Sequence, residues 1–176
     1  MNGLVKSLNV ESYLNNIFKI NKNDKEERKK VFKPYKSLIE EVNKDVKKGL
    51  LNINLEEYIK PEGICEGIAY SIGCIGKLKK AQLRKFFNEI KAIEYELKDE
   101  GDIDKIKIRI LALIPKLAYS KGRNLIDEDF YEFMKTILTQ VKNDLGENNP
   151  KEVFSIFVSI LEAILSYHKY HFPKED

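Results

Sequence analysis

The sequence predicts an all-α protein, a small helical bundle of five to seven helices. Apolar residues recur at intervals of three and four along most of the chain, which is the spacing of one face of an α-helix. Strand-like alternation of apolar and polar residues is almost absent. Glycine supplies only 9 and proline only 5 of the 176 residues, below their combined average usage of about 12%. This scarcity excludes collagen-like and turn-rich all-β chains.

The first third of the chain predicts two amphipathic helices. The first lies within residues 1–20, and its apolar positions are Leu4, Leu8, Leu14, Ile17 and Phe18. The second lies within residues 24–48, where Pro34 marks either a kink or the true start of the helix. We therefore expect residues 1–60 to form a helical N-terminal extension and residues 61–176 to form a helical bundle domain.

The centre of the chain predicts a short helix and two long ones. Isoleucines at intervals of four indicate a helix over residues 64–75, although four glycines in and around it weaken the prediction. A helix over residues 80–98 follows, with Phe86 and Phe87 expected in the core. After the connection at residues 99–102, a further helix is expected over residues 103–119, and Pro115 inside it predicts a kink.

Capping residues define the last two helices. Asp127 is expected to cap a helix whose first turn also contains acidic residues, which the helix dipole favours. Asn149 is expected to cap the final helix, because Pro150 fits its first position, where no backbone N–H is needed. This helix should end near Tyr170, before Pro173.

The residues that usually carry catalysis are scarce. The two cysteines, Cys65 and Cys74, are nine positions apart and are expected to be small buried side chains. His168 and His171 lack a third metal ligand and an adjacent nucleophile, and no glycine-rich phosphate loop is present. We therefore expect no enzymatic activity, no metal and no cofactor. With neither a long apolar span nor a signal peptide, the expected location is the cytoplasm, without a membrane partner.

Charge is divided along the chain although the net charge is only +3. Residues 77–123 contain 13 basic and 7 acidic side chains, whereas residues 124–176 contain 5 basic and 10 acidic ones. On the first of the two long central helices, helical spacing places Lys77, Lys80, Arg84 and Lys91 on one face. On the second, Lys105, Arg109 and Lys116 share a face, and Tyr119, Lys121 and Arg123 follow at its end. Two cationic stripes of this kind are typical of a groove that follows phosphates, but they are also typical of solvated faces with acidic partners at i+4.

Three segments together resemble a known family. They are KLKKAQLRKFFNEI at residues 77–90, LIPKLAYSKGR at residues 113–123, and the FSIF and LEAILSYHK stretches within residues 154–169. In order and spacing they resemble the small subunit of type III-A CRISPR effector complexes, the Csm small-subunit family. One departure is that Lys80 and Ala81 precede Gln82, where the family usually has a serine or threonine.

The resemblance implies a small helical bundle without an active site. It implies a subunit that stacks in several copies beside the other type III-A effector subunits and supports the duplex of crRNA and target RNA. The residues expected to contact RNA are Lys77, Lys79, Lys80, Gln82, Arg84, Lys85, Lys116, Tyr119, Lys121 and Arg123. The acidic C-terminal part would meet the basic face of a neighbouring copy in a filament-like stack. The alternative is an all-α protein–protein adaptor that does not contact nucleic acid.

Overall fold

The computed structural model describes residues 9–147 and 149–174, and within these residues it contains helices and no strand. The helices are α1 (Glu11–Phe18), α2 (Lys25–Arg28), α3 (Phe32–Val46), α4 (Leu55–Ile59), α5 (Ile64–Ile75), α6 (Lys80–Lys98), α7 (Ile103–Gly122), α8 (Glu128–Leu145) and α9 (Pro150–His171). Two single 3₁₀ turns lie at residues 29–31 and 50–52. The all-α prediction is confirmed, and the two helices shorter than eight residues, α2 and α4, are additions to it.

Local signals in the sequence set several of the helix ends. The Asp127 carboxylate accepts a hydrogen bond from the backbone N–H of Phe130 at 2.7 Å, as expected of an N-cap. The Asn149 side chain accepts from the first turn of α9, whose first residue is Pro150. Gly76 ends α5 with a φ of 72°, a left-handed conformation that glycine adopts without steric cost.

The segment at residues 24–48 is divided rather than one helix. A single turn, α2, precedes the 3₁₀ turn, and α3 begins at Phe32. Pro34 therefore lies in the first turn of α3, where its missing N–H breaks no hydrogen bond. In the predicted first helix, Leu14 and Ile17 are buried on α1, whereas Leu4 and Leu8 lie outside the described residues.

Helix α5 is the centre of the core. It packs against α9, α1, α3 and α4, and nearly all of its residues are buried. Its glycines are sites of close approach: a Cβ at Gly67 would collide with Leu14 Cδ2, and one at Gly73 would collide with the Phe172 ring. The glycines that weakened the helix prediction thus let neighbouring side chains reach the α5 backbone.

Polar contacts join residues before position 60 to the rest of the molecule. The backbone N–H of Leu50 donates to the buried Asp144 carboxylate at 2.7 Å, and the Tyr167 hydroxyl donates to the carbonyl of Ile59 at 2.7 Å. The division into an N-terminal extension and a bundle domain at residue 60 stays a prediction.

Candidate nucleic-acid interface

A groove separates the N-terminal half of α6 from the C-terminal half of α7. The connection at residues 99–102 makes the two helices antiparallel neighbours, so the start of α6 lies opposite the end of α7. The groove has a volume of about 550 Å³, and the start of α8 closes one side of it. Its walls are mainly apolar and include Leu78, Leu83, Phe86, Pro115, Leu117, Leu125, Ile126 and Phe130. Helix α7 continues through Pro115, the proline for which a kink was predicted.

The groove brings together five of the ten residues that the sequence indicated. They are Gln82 and Lys85 from α6, Lys116 and Tyr119 from α7, and Arg123 just after α7. The Tyr119 side chain is 67% exposed, and the Arg123 guanidinium carbon lies 5.7 Å from the centre of its ring. At the rim, Lys116 Nζ lies 2.7 Å from the Glu89 carboxylate on α6, so an ion pair bridges the two helices.

Two other predicted residues face the opposite side of α6. Lys80 and Arg84 line a smaller cavity of about 210 Å³ against α9, together with His168 and Lys169. Further along this side, Lys91 Nζ lies 2.6 Å from Glu94 and 3.7 Å from Glu162 of α9. The face of α6 that the sequence predicted to be cationic, with Lys80 and Arg84, therefore lies toward α9. The neighbouring face, with Gln82 and Lys85, lines the groove toward α7.

The remaining predicted residues lie at the ends of the two helices. Lys77 and Lys79 are exposed in the connection from α5 to α6. Lys121 forms an ion pair with Glu128, and its Nζ lies 5.6 Å from the centre of the Tyr131 ring. The hydrogen bond that Lys121 donates to the Glu128 carboxylate raises the pKa of Lys121, which keeps this lysine cationic.

Burial controls protonation at both cavities. His168 is 2% exposed, and burial, followed by the charge of Lys80, lowers the pKa of its imidazole. At neutral pH His168 is therefore uncharged, and the cations of the smaller cavity are Lys80, Arg84 and Lys169. Beside the groove, burial raises the pKa of the Asp127 carboxyl, while the cap hydrogen bond to the Phe130 N–H opposes the shift.

Phe86 and Phe87, which the sequence places in the core, are partly buried and pack against the edge of the core. Phe86 lines the groove toward α7, and Phe87 lines the smaller cavity toward α9. Adjacent residues on a helix are about 100° apart, and on α6 the two rings flank the buried Leu83 and Ile90, one on each side. Helix α6 therefore presents one aromatic ring toward each of its two neighbouring helices.

The described residues contain no group of three or more side chains that could hold a metal ion. Both cysteines are buried, as predicted, and burial raises the pKa of the Cys65 thiol, which disfavours a reactive thiolate. Within the described part of the chain, no helix has the length and apolar character needed to cross a membrane.

Comparison with known proteins identifies a family that the chain matches. A family model described as Csm2 Type III-A matches residues 56–174, about two thirds of the chain. The matched range includes all of α6 and α7, and therefore the whole groove. No curated protein and no solved structure matches the chain.

Proposed function

This chain belongs to the Csm2 Type III-A family and is thus a type III-A CRISPR effector subunit, and we propose that it is a non-catalytic subunit that binds RNA. In this proposal it supports the duplex of crRNA and target RNA through the basic sides of α6 and α7. The proposed contacts are Lys77, Lys79, Lys80, Gln82, Arg84, Lys85, Lys116, Tyr119, Lys121 and Arg123.

The convergence of cations at the α6–α7 groove is the observation that supports RNA binding best. Lys85, Lys116 and Arg123 line the groove, whereas Glu89, which pairs with Lys116, is its one acidic lining residue in the described part of the chain. Lysine and arginine side chains bind phosphates and release counterions, and an arginine can donate two parallel hydrogen bonds to one phosphate.

The cations on the other side of α6 extend this surface. Lys80, Arg84 and Lys169 line the cavity toward α9. One helix therefore presents basic residues on two sides, and an RNA backbone that crosses α6 would meet phosphate-binding groups before and after it. Because these groups contact only the backbone, binding should depend little on RNA sequence.

A titration of a labelled crRNA–target RNA duplex tests the proposal. We expect the logarithm of the association constant to fall linearly with the logarithm of the salt concentration, since each phosphate contact releases counterions. A second duplex of unrelated sequence should bind equally well. Absence of binding to either duplex at low salt would contradict the proposal.

The alternative, a protein–protein adaptor, is favoured by one surface feature. Ile108 is 67% exposed and Leu111 is 38% exposed on α7, and exposed apolar side chains close together often mark protein contacts. The titration separates the two functions, because an adaptor without RNA contact would bind neither duplex.

We also propose that copies of the chain stack head to tail. The acidic residues 124–176 of one copy would meet the basic residues 77–123 of the next, so that the two contacting surfaces differ. We expect sedimentation to show association that increases with protein concentration at low salt and is lost at high salt, where exposed charges are screened. A monomer at high concentration and low salt would exclude this contact.

A further inference from the structure

We propose that the groove between α6 and α7 receives one unpaired nucleobase of the bound RNA. This inference rests on the proposed RNA binding and adds a specific ligand for the groove. Paired bases in an A-form duplex are stacked and cannot enter a pocket, whereas a bulged or looped base can turn out of the helix. The ligand is therefore an unstacked nucleotide within or beside a duplex.

The groove has the size and lining of a site for a planar ligand. Its volume of about 550 Å³ lies within the roughly 300–1,000 Å³ that is typical of ligand sites. The walls are mainly apolar side chains, among them Leu83, Phe86 and Leu117. Such walls favour a flat, weakly hydrated base and disfavour a phosphate group, which needs hydrogen-bond donors.

Donors and flat surfaces lie at the rim instead. The exposed Tyr119 ring and the Arg123 guanidinium lie one over the other at 5.7 Å, and both groups can stack on a base. Lys85 and Lys116 line the same groove and can bind the phosphates on either side of the base. The apolar lining would contact the uncharged base of a nucleotide, and the cations at the rim would contact its negatively charged phosphates.

Gln82 supplies a polar group inside the apolar wall. Its Oε1 atom is buried and has no hydrogen-bond partner within the described residues. Buried polar atoms are nearly always hydrogen-bonded, so this acceptor can receive a hydrogen bond from a ligand in the groove. A glutamine amide matches the N6 and N7 edge of adenine, which both donates and accepts. An aliphatic side chain from a protein partner would leave this acceptor unsatisfied and would bury the rim away from water.

Binding of a bulged RNA to the full chain tests the inference. The probe is an RNA duplex with one unpaired adenosine in the middle, compared with the same duplex fully paired and with an abasic bulge. We expect the adenosine bulge to bind about tenfold more tightly than either, because stacking of one base on an aromatic side chain is commonly of that size. With 2-aminopurine as the bulged base, fluorescence should be quenched when the complex forms.

Two tyrosine variants provide the control. Tyr119→Ala should bind the three duplexes with equal affinity. Tyr170→Ala should keep the preference, since Tyr170 is similarly exposed but lies at the end of α9 and does not line the groove. Both side chains are largely exposed, so both variants should fold. If the wild-type chain binds all three duplexes equally, or if Tyr119→Ala keeps the preference, the inference is wrong while RNA binding stands. If no duplex binds, the inference and the proposed function both fail.

Discussion

Phe157→Ala is expected to lower the free energy of unfolding by about 3–5 kcal/mol, the usual cost of removing a fully buried phenylalanine. Phe157 lies on α9 with no exposed surface, and its ring meets the Phe154 ring edge to face at 5.6 Å. The substitution therefore leaves a cavity and removes a favourable aromatic contact. Urea unfolding followed by circular dichroism measures the loss.

Phe87→Ala is the matched control for this prediction. Phe87 is partly buried and lines the cavity between α6 and α9, so the same atoms are removed from a site that water already reaches. We expect a loss of only about 1–2 kcal/mol, because the transferred apolar area is smaller and no closed cavity forms. Equal losses for the two variants would show that Phe87 is a core residue, as the sequence pattern suggested. If Phe157→Ala fails to fold, Phe157→Leu allows the same comparison with a smaller cavity.

The helices could be predicted from the sequence because their signals are local. Asp127 and Asn149 are N-caps whose side chains accept hydrogen bonds from backbone N–H groups two or three positions away. Pro150, directly after Asn149, strengthens the second signal. The break between α2 and α3 was harder to predict, since the apolar spacing continues across it while the backbone tightens to a 3₁₀ turn at residues 29–31. The close approaches at Gly67 and Gly73 depend on Leu14 and Phe172, which are distant in sequence.

The residue types of the candidate site could also be predicted, but their arrangement could not. Helical spacing shows that Lys80 and Arg84 share a side of α6, yet it does not show which neighbouring helix lies beside it. The structure places these two residues against α9 and places Gln82 and Lys85 against α7. The bridge from Lys116 to Glu89 joins positions 27 residues apart, beyond the reach of the i+4 pairing considered from the sequence.

This arrangement predicts which cations matter for RNA. Replacing Lys85, Lys116 and Arg123 together by alanine should lower the affinity for a crRNA–target duplex by at least about a hundredfold at 0.1 M salt, since each lost phosphate contact contributes nearly tenfold there. The slope of log affinity against log salt should fall by a little under ~1 for each contact removed. Stability should change little, because exposed ion pairs such as Lys116–Glu89 contribute only about 0–1 kcal/mol.

The control variant replaces Lys44, Lys47 and Lys142 by alanine. It also loses three positive charges, but at the other end of the molecule. The end of α3 lies beside the end of α8, where Leu50 contacts Asp144, whereas the groove lies at the start of α8. These ends are separated by the length of α8, 18 residues, or about 27 Å at 1.5 Å per residue. If net charge alone attracts RNA, both triple variants should lose affinity equally. A loss confined to the groove variant would place the phosphate contacts at α6 and α7, and an unchanged affinity and salt slope in that variant would place them elsewhere on the molecule.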